Sequence, residues 1–290
     1  MSLPPAPRHP RRLVFLGTPE PSVVPLRALV ETGHHVALVV SQPDRRRGRG
    51  GRTSPSPVKQ AALDLGLAVT DTVDDALTVG ADLGVVVAFG RLIKPHVLAE
   101  LPMVNIHFSL LPRWRGAAPV ERAILSGDER TGVDLMVVEE GLDTGGIYDR
   151  AELPIGPDDT AAELRDRLAR LGAELLVTNL TQGLGEPVPQ QGEPTYAHKL
   201  EVADLEIDWS TPAGTIHRLV RVGGAWTTHH GQRLKVWRTS LRSGGRDAVE
   251  VPAGDGAIWL VEVQPEGRRR MPAAAWANGL AGRDTDGLGR

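Results

Sequence analysis

Cysteine is absent from this 290-residue chain. Its absence excludes disulfide bonds, zinc sites with cysteine ligands and catalysis by a thiol, and it fits a reducing compartment. The first ten residues lack the apolar stretch of a secretory signal, and no apolar run reaches the roughly 18 residues that a membrane-spanning helix needs. These absences together predict a cytoplasmic protein without membrane contact.

Strong net charge is also missing. The formal net charge is -3 at pH 7, with 41% hydrophobic and 24% charged residues, which is the balance of a globular protein. A nucleic-acid partner would therefore have to be bound by local basic patches. The Gly-x-Gly-x-x-Gly fingerprint is absent after the first predicted strand, so a dinucleotide site is unsupported.

The first 185 residues alternate apolar strands with helical segments. Strands are predicted at Leu13 to Leu16 and at His35 to Val40 with a helix between them, which is a parallel βαβ unit. The most continuous apolar run lies within Asp82 to Phe89 and predicts a central strand. A long amphipathic helix is predicted at Thr160 to Leu180, with Thr160 as its N-cap. We expect a doubly wound α/β domain at residues 8–185.

The pattern changes beyond this domain. Residues 186–204 are rich in Pro, Gln and Gly and predict a linker, whereas residues 205–290 contain short strands broken by glycine turns, which predict a small β-barrel domain. This last part contains more Lys and Arg than Asp and Glu, and five of the six tryptophans. Its local basic character is weak support for a polyanionic partner.

Three polar residues stand out between Val104 and Asp143. Asn105 and His107 alternate on a short apolar strand, so their side chains face the same way, and Asp143 lies in a glycine-flanked turn. Each taken singly has an ordinary explanation, as a satisfied core residue or a turn former. Together, an amide donor, an imidazole and a carboxylate are the groups that acyl transfer needs.

The motifs around these residues resemble those of the 10-formyltetrahydrofolate-dependent formyltransferases. They are Asn105-Ile106-His107, Ser109-Leu110-Leu111-Pro112 and Gly141-Leu142-Asp143-Thr144-Gly145. Other segments narrow the resemblance to the methionyl-tRNA formyltransferases of that family, and with them it covers nearly the whole chain: Gln42 to Arg45, Ser54 to Lys59, Arg113 to Pro119, Ile207 to Trp209 and Lys235 to Trp237.

The resemblance implies a fold and a reaction. The fold is a Rossmann-like, doubly wound, mostly parallel sheet followed by a small OB-like β-barrel that binds tRNA. The reaction transfers the formyl group of 10-formyltetrahydrofolate to the α-amine of methionine on initiator tRNA, without a metal and by a protein expected to be a monomer. Asn105 would donate to the oxyanion, and His107 would donate as imidazolium or move a proton. Asp143 would stabilise the charged imidazole or hold a water; which group moves which proton stays open.

The resemblance also implies two binding regions. The folate site lies at the carboxyl ends of the strands. Its implied residues are Ala88, Phe89, Gly90, Arg91, Ser109, Leu110, Leu111, Pro112, Gly141, Leu142 and Thr144, although Phe89 could equally be ordinary core. The loop at residues 41–59 is implied to enter the acceptor end of the tRNA; its alternative is a solvated charged segment. Its basic residues are Arg45, Arg46, Arg47, Arg49 and Arg52, of which Arg49 matches the family's key basic position.

Two other functions stay open at this point. A formyltransferase for a small amine would need neither the arginine-rich loop nor the basic C-terminal part. A non-catalytic RNA-binding module would not need the three polar residues together. The pairs His34-His35 and His229-His230 lack the further ligands of a metal site.

Overall fold

The computed structural model describes residues 3–47, 52–280 and 287–289. The chain divides into two compact units. The first comprises residues 1–119, 130–154 and 165–197, and the second comprises residues 120–129, 155–164 and 198–290. None of the described helices is both long and apolar enough to cross a membrane.

The regular elements down to residue 197 include the apolar strands and the helices that the pattern predicts, together with short or added strands. The strands are β1 (Leu13–Gly17), β2 (Val36–Val40), β3 (Arg45–Arg47), β4 (Arg52–Ser54), β5 (Val69–Thr70), β6 (Leu83–Val87), β7 (Met103–His107), β8 (Arg115–Gly116), β9 (Arg130–Val137), β10 (Ile147–Pro154) and β11 (Tyr196–Ala197). The short or added strands are β3, β4, β8 and β10, which follow another strand directly. The α-helices are α1 (Val23–Glu31), α2 (Pro57–Asp64), α3 (Pro95–Glu100), α4 (Pro119–Ser126) and α5 (Ala161–Gln182). Short 3-10 helices lie at Glu20–Ser22 and Val73–Leu77.

Seven of these strands form one sheet in the order β10-β9-β7-β6-β1-β2-β5. The pairs from β7 to β5 are parallel, and β9 and β10 are added antiparallel at one side. The prediction of a mostly parallel sheet is confirmed. The strand with the most continuous apolar run, β6, is the middle strand, as predicted.

Helices pack on both faces of this sheet. Met103 of β7 lies in one hydrophobic cluster with residues of α3. Ile106 contacts the other side, where a Cβ added at Gly172 of α5 would lie 2.6 Å from Ile106 Cγ2. Because alternate residues of a strand point to opposite faces, Met103 and Ile106 lie on different faces, and the sheet is doubly wound. Asn105 and His107 share the face of Met103.

The loop predicted at residues 41–57 contains more structure than its composition suggests. Strands β3 and β4 form an antiparallel pair with Arg45 opposite Ser54 and Arg47 opposite Arg52. Polar residues can form such a pair because its hydrogen bonds come from the backbone. The loop ends in an N-cap, since the Ser56 hydroxyl accepts a hydrogen bond from Lys59 N at 3.0 Å.

The N-cap predicted for the long helix α5 is confirmed. Thr160 Oγ1 accepts from Glu163 N at 3.2 Å, and the Glu163 carboxylate accepts from Thr160 N at 2.9 Å. This reciprocal pair is a capping box. The hydrogen bonds from the Thr160 backbone and hydroxyl lower the pKa of Glu163 below its ordinary value.

The second unit has a sheet and core of its own. Its strands are β12 (Trp226–His229), β13 (Gln232–Ser240), β14 (Val249–Ala253), β15 (Gly256–Pro265) and β16 (Met271–Pro272), and its later helices are α6 (Ala213–Val222) and α7 (Ala273–Asn278). Two 3-10 helices lie at Ala203–Leu205 and Gly245–Asp247. The sheet is antiparallel, in the order β12-β13-β15-β14, with β16 on β15. No closed barrel forms within the described residues, so the OB-like barrel stays a prediction.

Candidate active site

His107 ends strand β7 and is buried, with 5% of its surface exposed. Its Nε2 lies 3.0 Å from the carbonyl oxygen of Trp114, and its Nδ1 lies 3.7 Å from Asp143 Oδ2. Because a carbonyl can only accept, Nε2 must carry a hydrogen. Nδ1 is therefore the ring nitrogen that is left to gain or lose a proton.

The position of the Asp143 carboxylate is fixed by the backbone conformation of its turn and by a hydrogen bond from strand β8. It lies in the turn between β9 and β10 with φ of 51°, in the left-handed region. Its Oδ2 accepts a hydrogen bond from Gly116 N at 2.7 Å. The carboxylate is too far from His107 Nδ1 for a hydrogen bond, yet close enough to stabilise a charged imidazole.

Asn105 lies two residues before His107 and is partly exposed. Among the described residues its side-chain amide makes no hydrogen bond. A strand places residues two apart on the same face, so Asn105 points to the same side as His107. The structure thus brings His107 and Asp143 together, and the free amide of Asn105 lies on the same face of β7 as His107.

The loop after β7 closes on itself. Ser109 Oγ donates to the carbonyl of Arg113 at 2.6 Å, and the peptide bond between Leu111 and Pro112 is cis. Ser109 and Leu111 are buried, with 0% and 2% exposure. This closure holds the Trp114 carbonyl where it meets His107. The predicted folate contacts of Ser109, Leu110, Leu111 and Pro112 stay predictions.

A buried ion pair supports this loop. Asp134 of β9 has no exposed surface, and it receives hydrogen bonds at 2.7 Å from both Nε and a terminal nitrogen of Arg150. Asp134 also accepts from Leu111 N at 2.8 Å, and Arg150 donates to Leu111 O at 2.6 Å. Burial raises the pKa of Asp134, an effect that the paired guanidinium opposes. The hydrogen bond to Asp134 raises the pKa of Arg150.

A segment expected to be a linker also reaches the site. This segment, residues 186–197, is here called the strap. It contains β11, which pairs in parallel with β8. The Thr195 hydroxyl accepts a hydrogen bond from Trp114 N at 2.9 Å, and the Thr195 carbonyl accepts one from Arg115 N at 2.8 Å. Gln190 donates to the carbonyls of Asp143 and Gly145 at 2.8 and 2.9 Å.

A cavity of about 850 Å³ opens beside the Asp143 turn. Its wall comes from the N-terminal arm (residues 3–6), the region of α3 and β7, the end of β9 with its turn, and the strap. Gly141, Thr144 and Arg115 contribute to it. Its volume lies in the range of small-molecule sites. Burial, assisted by Glu186, raises the pKa of the Tyr148 phenol in this wall.

Two family comparisons cover both parts of the chain. The formyl transferase family matches residues 11–180, and the formyl transferase C-terminal domain family matches residues 199–281. Methionyl-tRNA formyltransferases of Heliobacterium modesticaldum and Paracoccus denitrificans are each 44% identical to the chain. The alignments cover 92% and 93% of this chain, and 96% and 98% of those proteins. The chain belongs to the formyl transferase family.

Solved structures of this family have the same fold. The methionyl-tRNA formyltransferase of Clostridium thermocellum matches with a TM-score of 0.59 and 17% identity, over 88% of this chain and 98% of that one. An N-formyltransferase of Helicobacter canadensis, solved with folinic acid and dTDP-3-aminofucose, matches with a TM-score of 0.66 and 19% identity, over 87% and 98%. The two family matches and the relatives at 44% identity confirm the resemblance stated from the motifs.

The second predicted folate segment follows β6 in this formyl transferase. Phe89 is 2% exposed and belongs to the core cluster, and its carbonyl accepts from Thr18 Oγ1 at 3.0 Å and from Gln42 Nε2 at 2.9 Å. Ala88 and Gly90 both have positive φ, and Arg91 donates to Asp71 O at 3.0 Å. The ring of Phe89 is therefore core. The folate role of this segment, and of exposed Leu142, stays a prediction.

Four of the five predicted tRNA contacts lie on the paired strands β3 and β4. Arg45 is exposed and donates to Gln42 Oε1 at 2.6 Å. The backbones of Arg46, Arg47 and Arg52 belong to the two strands, whereas Arg49 lies outside the described residues. Within the described part of the chain, no cluster of His, Asp and Glu could hold a metal ion, and this includes both histidine pairs.

The sequence did not indicate the residues that support the Asp143 turn and the loop after β7. Gln190 and Thr195 fall in a Pro- and Gln-rich segment whose composition indicates only a linker. Asp134 and Arg150 lie on separate strands, and their spacing carries no motif. A charged residue at a buried strand position was the one available signal for Asp134, since such residues are almost never fully buried unless paired.

Proposed function

We propose that this formyl transferase transfers the formyl group of 10-formyltetrahydrofolate to the α-amine of methionine on initiator tRNA, for translation initiation in the cytoplasm. The observation that carries the proposal is the 44% identity to methionyl-tRNA formyltransferases across 92% of the chain, which spans both family domains. The free amide, imidazole and carboxylate of the candidate active site support the same reaction.

The substrate supplies the nucleophile. A free α-amine titrates at about 7.7–8.0, so the neutral form is accessible near neutral pH. The amine nitrogen attacks the formyl carbon, and the carbonyl electrons move to oxygen to give a tetrahedral oxyanion. When the oxyanion collapses, the bond from carbon to N10 of the folate breaks, N10 takes a proton and the amine loses one. The products are formylmethionyl-tRNA and tetrahydrofolate.

The three residues act on this charge and these protons. We assign Asn105 to the oxyanion, because its amide is free to donate, and one such donor is typically worth about 2.7–4 kcal/mol. His107 exchanges the proton through Nδ1, since Nε2 is engaged with Trp114 O at 3.0 Å. Asp143, 3.7 Å from Nδ1, stabilises the imidazolium that forms.

The 850 Å³ cavity is our candidate for the folate. It combines an apolar wall, which includes Leu98 and Met103, with backbone groups at the Asp143 turn, where Gly141 and Thr144 line it. Both are suited to a flat heteroaromatic ring with polar edges. In this assignment the formyl group lies at the end nearest Asp143.

For the tRNA we propose two contact regions, the arginine-rich loop and the second unit. On the second unit, the Arg233 guanidinium lies 4.0 Å from the ring centre of Trp226, and that of Arg270 lies 3.3 Å from the ring centre of Trp237. Cations stacked on aromatic rings suit phosphates and unpaired bases. We retain residues 8–185 as catalytic domain and 205–290 as an OB-like tRNA-binding domain, joined by residues 186–204 in a monomer.

A substrate comparison tests the proposal. Formyl transfer from 10-formyltetrahydrofolate is measured with initiator methionyl-tRNA, free methionine, glycinamide ribonucleotide and an amino-sugar nucleotide. We expect kcat/KM for the tRNA to exceed that for every small amine by at least about 100-fold, since distant tRNA contacts contribute binding energy to the transition state. A small amine that is used as well as the tRNA would identify a small-amine formyltransferase. Transfer to none would favour a non-catalytic RNA-binding module.

The arginine-rich loop gives a second prediction. Arg49→Ala is expected to lower kcat/KM for initiator methionyl-tRNA by about 10-fold, within the ~1–3 kcal/mol of a stacked base, while folate binding is unchanged. Arg45→Ala, on the described strand β3, should act in the same direction. The measurement is kcat/KM for initiator and elongator methionyl-tRNA at several salt concentrations, because phosphate contacts are salt-dependent.

Arg27→Ala is the matched control for these variants, since Arg27 is an exposed arginine on α1 and its removal changes the net charge equally. Equal kcat/KM values in Arg49→Ala and Arg27→Ala would mean that the arginine-rich loop is a solvated segment and that the tRNA contact lies elsewhere.

A further inference from the structure

The side chain of Gln190 uses its whole hydrogen-bonding capacity at the candidate active site. Its Nε2 donates to Asp143 O at 2.8 Å and to Gly145 O at 2.9 Å. Its Oε1 accepts from Arg115 Nε at 3.1 Å and from a terminal nitrogen of Arg115 at 2.6 Å. A primary amide has two donors and one oxygen with two lone pairs, so all four positions are filled.

The partners fix the orientation of this amide. Two carbonyls can only accept and a guanidinium can only donate, so a rotated amide would oppose like groups at every contact. Neither glutamate nor leucine fits this set equally well. Glutamate keeps the pairing with Arg115 but lacks both donors, and leucine keeps the approximate volume without any polar contact.

The two carbonyls belong to a turn that needs support. Asp143 has φ of 51°, a conformation that costs a non-glycine residue energy unless its surroundings maintain it. Gly145 is tightly packed, since a Cβ added there would lie 2.1 Å from Val137 O. Gln190 binds the carbonyls of Asp143 and Gly145 at once, and so fixes the turn that aims the carboxylate.

The amide oxygen of Gln190, through its partner Arg115, also helps to position the Asp143 carboxylate. Arg115, held by Gln190, precedes Gly116, whose backbone N–H donates to Asp143 Oδ2 at 2.7 Å. Trp114, on the other side of Arg115, supplies the carbonyl that binds His107 at 3.0 Å. A single amide therefore joins the turn that carries Asp143 to the segment whose backbone N–H binds the Asp143 carboxylate.

We infer that Gln190 is a positioning residue for formyl transfer, which acts through Asp143 by holding its turn and the Arg115–Gly116 segment in register. The inference rests on the proposed role of Asp143 in the reaction. It assigns a function to the strap, whose composition alone indicates a linker.

The test is a double-mutant cycle on kcat. Gln190→Leu is expected to lower kcat by about 10- to 100-fold, since a displacement of about 1 Å at a reacting group can cost 10²-fold. In an Asp143→Asn background the same change should lower kcat less than threefold, because its effect acts through the carboxylate that is already gone. An effect of equal size in both backgrounds would place Gln190 in the folate wall or the general fold, and would overturn the inference.

Two further variants separate positioning from folding. Gln190→Glu retains the pairing with Arg115 and should fold with a cooperative unfolding transition, yet lower kcat because both donors to the turn are lost. Gln191→Glu makes the same chemical change at the next residue, which is exposed, and should leave kcat unchanged. Wild-type kcat in Gln190→Glu with low kcat in Asp143→Asn would sink the inference alone. Wild-type kcat in Asp143→Asn would sink the proposed site, and the inference with it.

Discussion

His107→Ala is expected to lower kcat for formyl transfer by about 10²- to 10⁴-fold, the usual contribution of a positioned proton donor or acceptor. The ring is buried and its Nε2 is engaged by Trp114 O, so Nδ1 is the nitrogen that exchanges a proton with the reacting amine. The measurement is single-turnover transfer to initiator methionyl-tRNA at saturating folate. His35→Ala, which removes an exposed histidine of the same unit, is the matched control and should retain wild-type kcat.

The neighbouring residues should fail in distinguishable ways. Asn105→Asp keeps the shape of the side chain but removes its donors, and should cost about 10²- to 10³-fold in kcat, as loss of one oxyanion donor does. Asp143→Asn keeps an acceptor for Gly116 N but removes the charge that favours imidazolium. All three variants should fold with a cooperative unfolding transition, although His107→Ala should lower Tm because it leaves a small cavity and an unpaired Trp114 carbonyl. Near-wild-type kcat in a folded His107→Ala protein would contradict the assignment.

The sheet could be predicted because its apolar pattern and its packing depend on the same residues. The strand at β6 is buried on both faces, and a run of apolar residues is what such burial requires. The N-cap of α5 followed from the spacing of Thr160 and Glu163, since a capping box is local. The convergence of Asn105 and His107 required only that a strand alternates.

The surroundings of the site could not be predicted in the same way. Gln190 and Asp143 are hydrogen-bonded although they are 47 residues apart in the sequence, and Asp134 and Arg150 are 16 residues apart. Neither separation follows the periodicity of a helix or a strand. The β3–β4 pair is built from backbone hydrogen bonds. Its run of arginines shows no alternation of apolar and polar residues from which a strand could be predicted. Closed polar networks of this kind depend on tertiary geometry, which a single sequence does not encode locally.

The buried pair of Asp134 and Arg150 provides the largest expected effect on stability. Arg150→Met removes the guanidinium and leaves the Asp134 carboxylate fully buried. The hydrogen bond from Leu111 N to this carboxylate remains. Breaking a buried pair from one side typically costs about 3–5 kcal/mol, and we expect a loss of that size in the free energy of unfolding. Asp134→Leu should cost less, because the Arg150 side chain is 37% exposed and can turn to water.

The double variant decides whether charge is the cause. If the cost arises from an unpaired buried carboxylate, Asp134→Leu in the Arg150→Met background should restore much of the lost stability, since replacing both partners by apolar groups is often close to neutral. Arg130→Met is the matched control: Arg130 and Glu152 lie on the same two strands at 3.0 Å but are 58% and 45% exposed, so it should cost at most about 1 kcal/mol. Urea unfolding of the wild type and the four variants measures these differences. An Arg150→Met loss no larger than that of Arg130→Met would mean that water reaches Asp134 and that the pair does not secure the loop carrying Leu111.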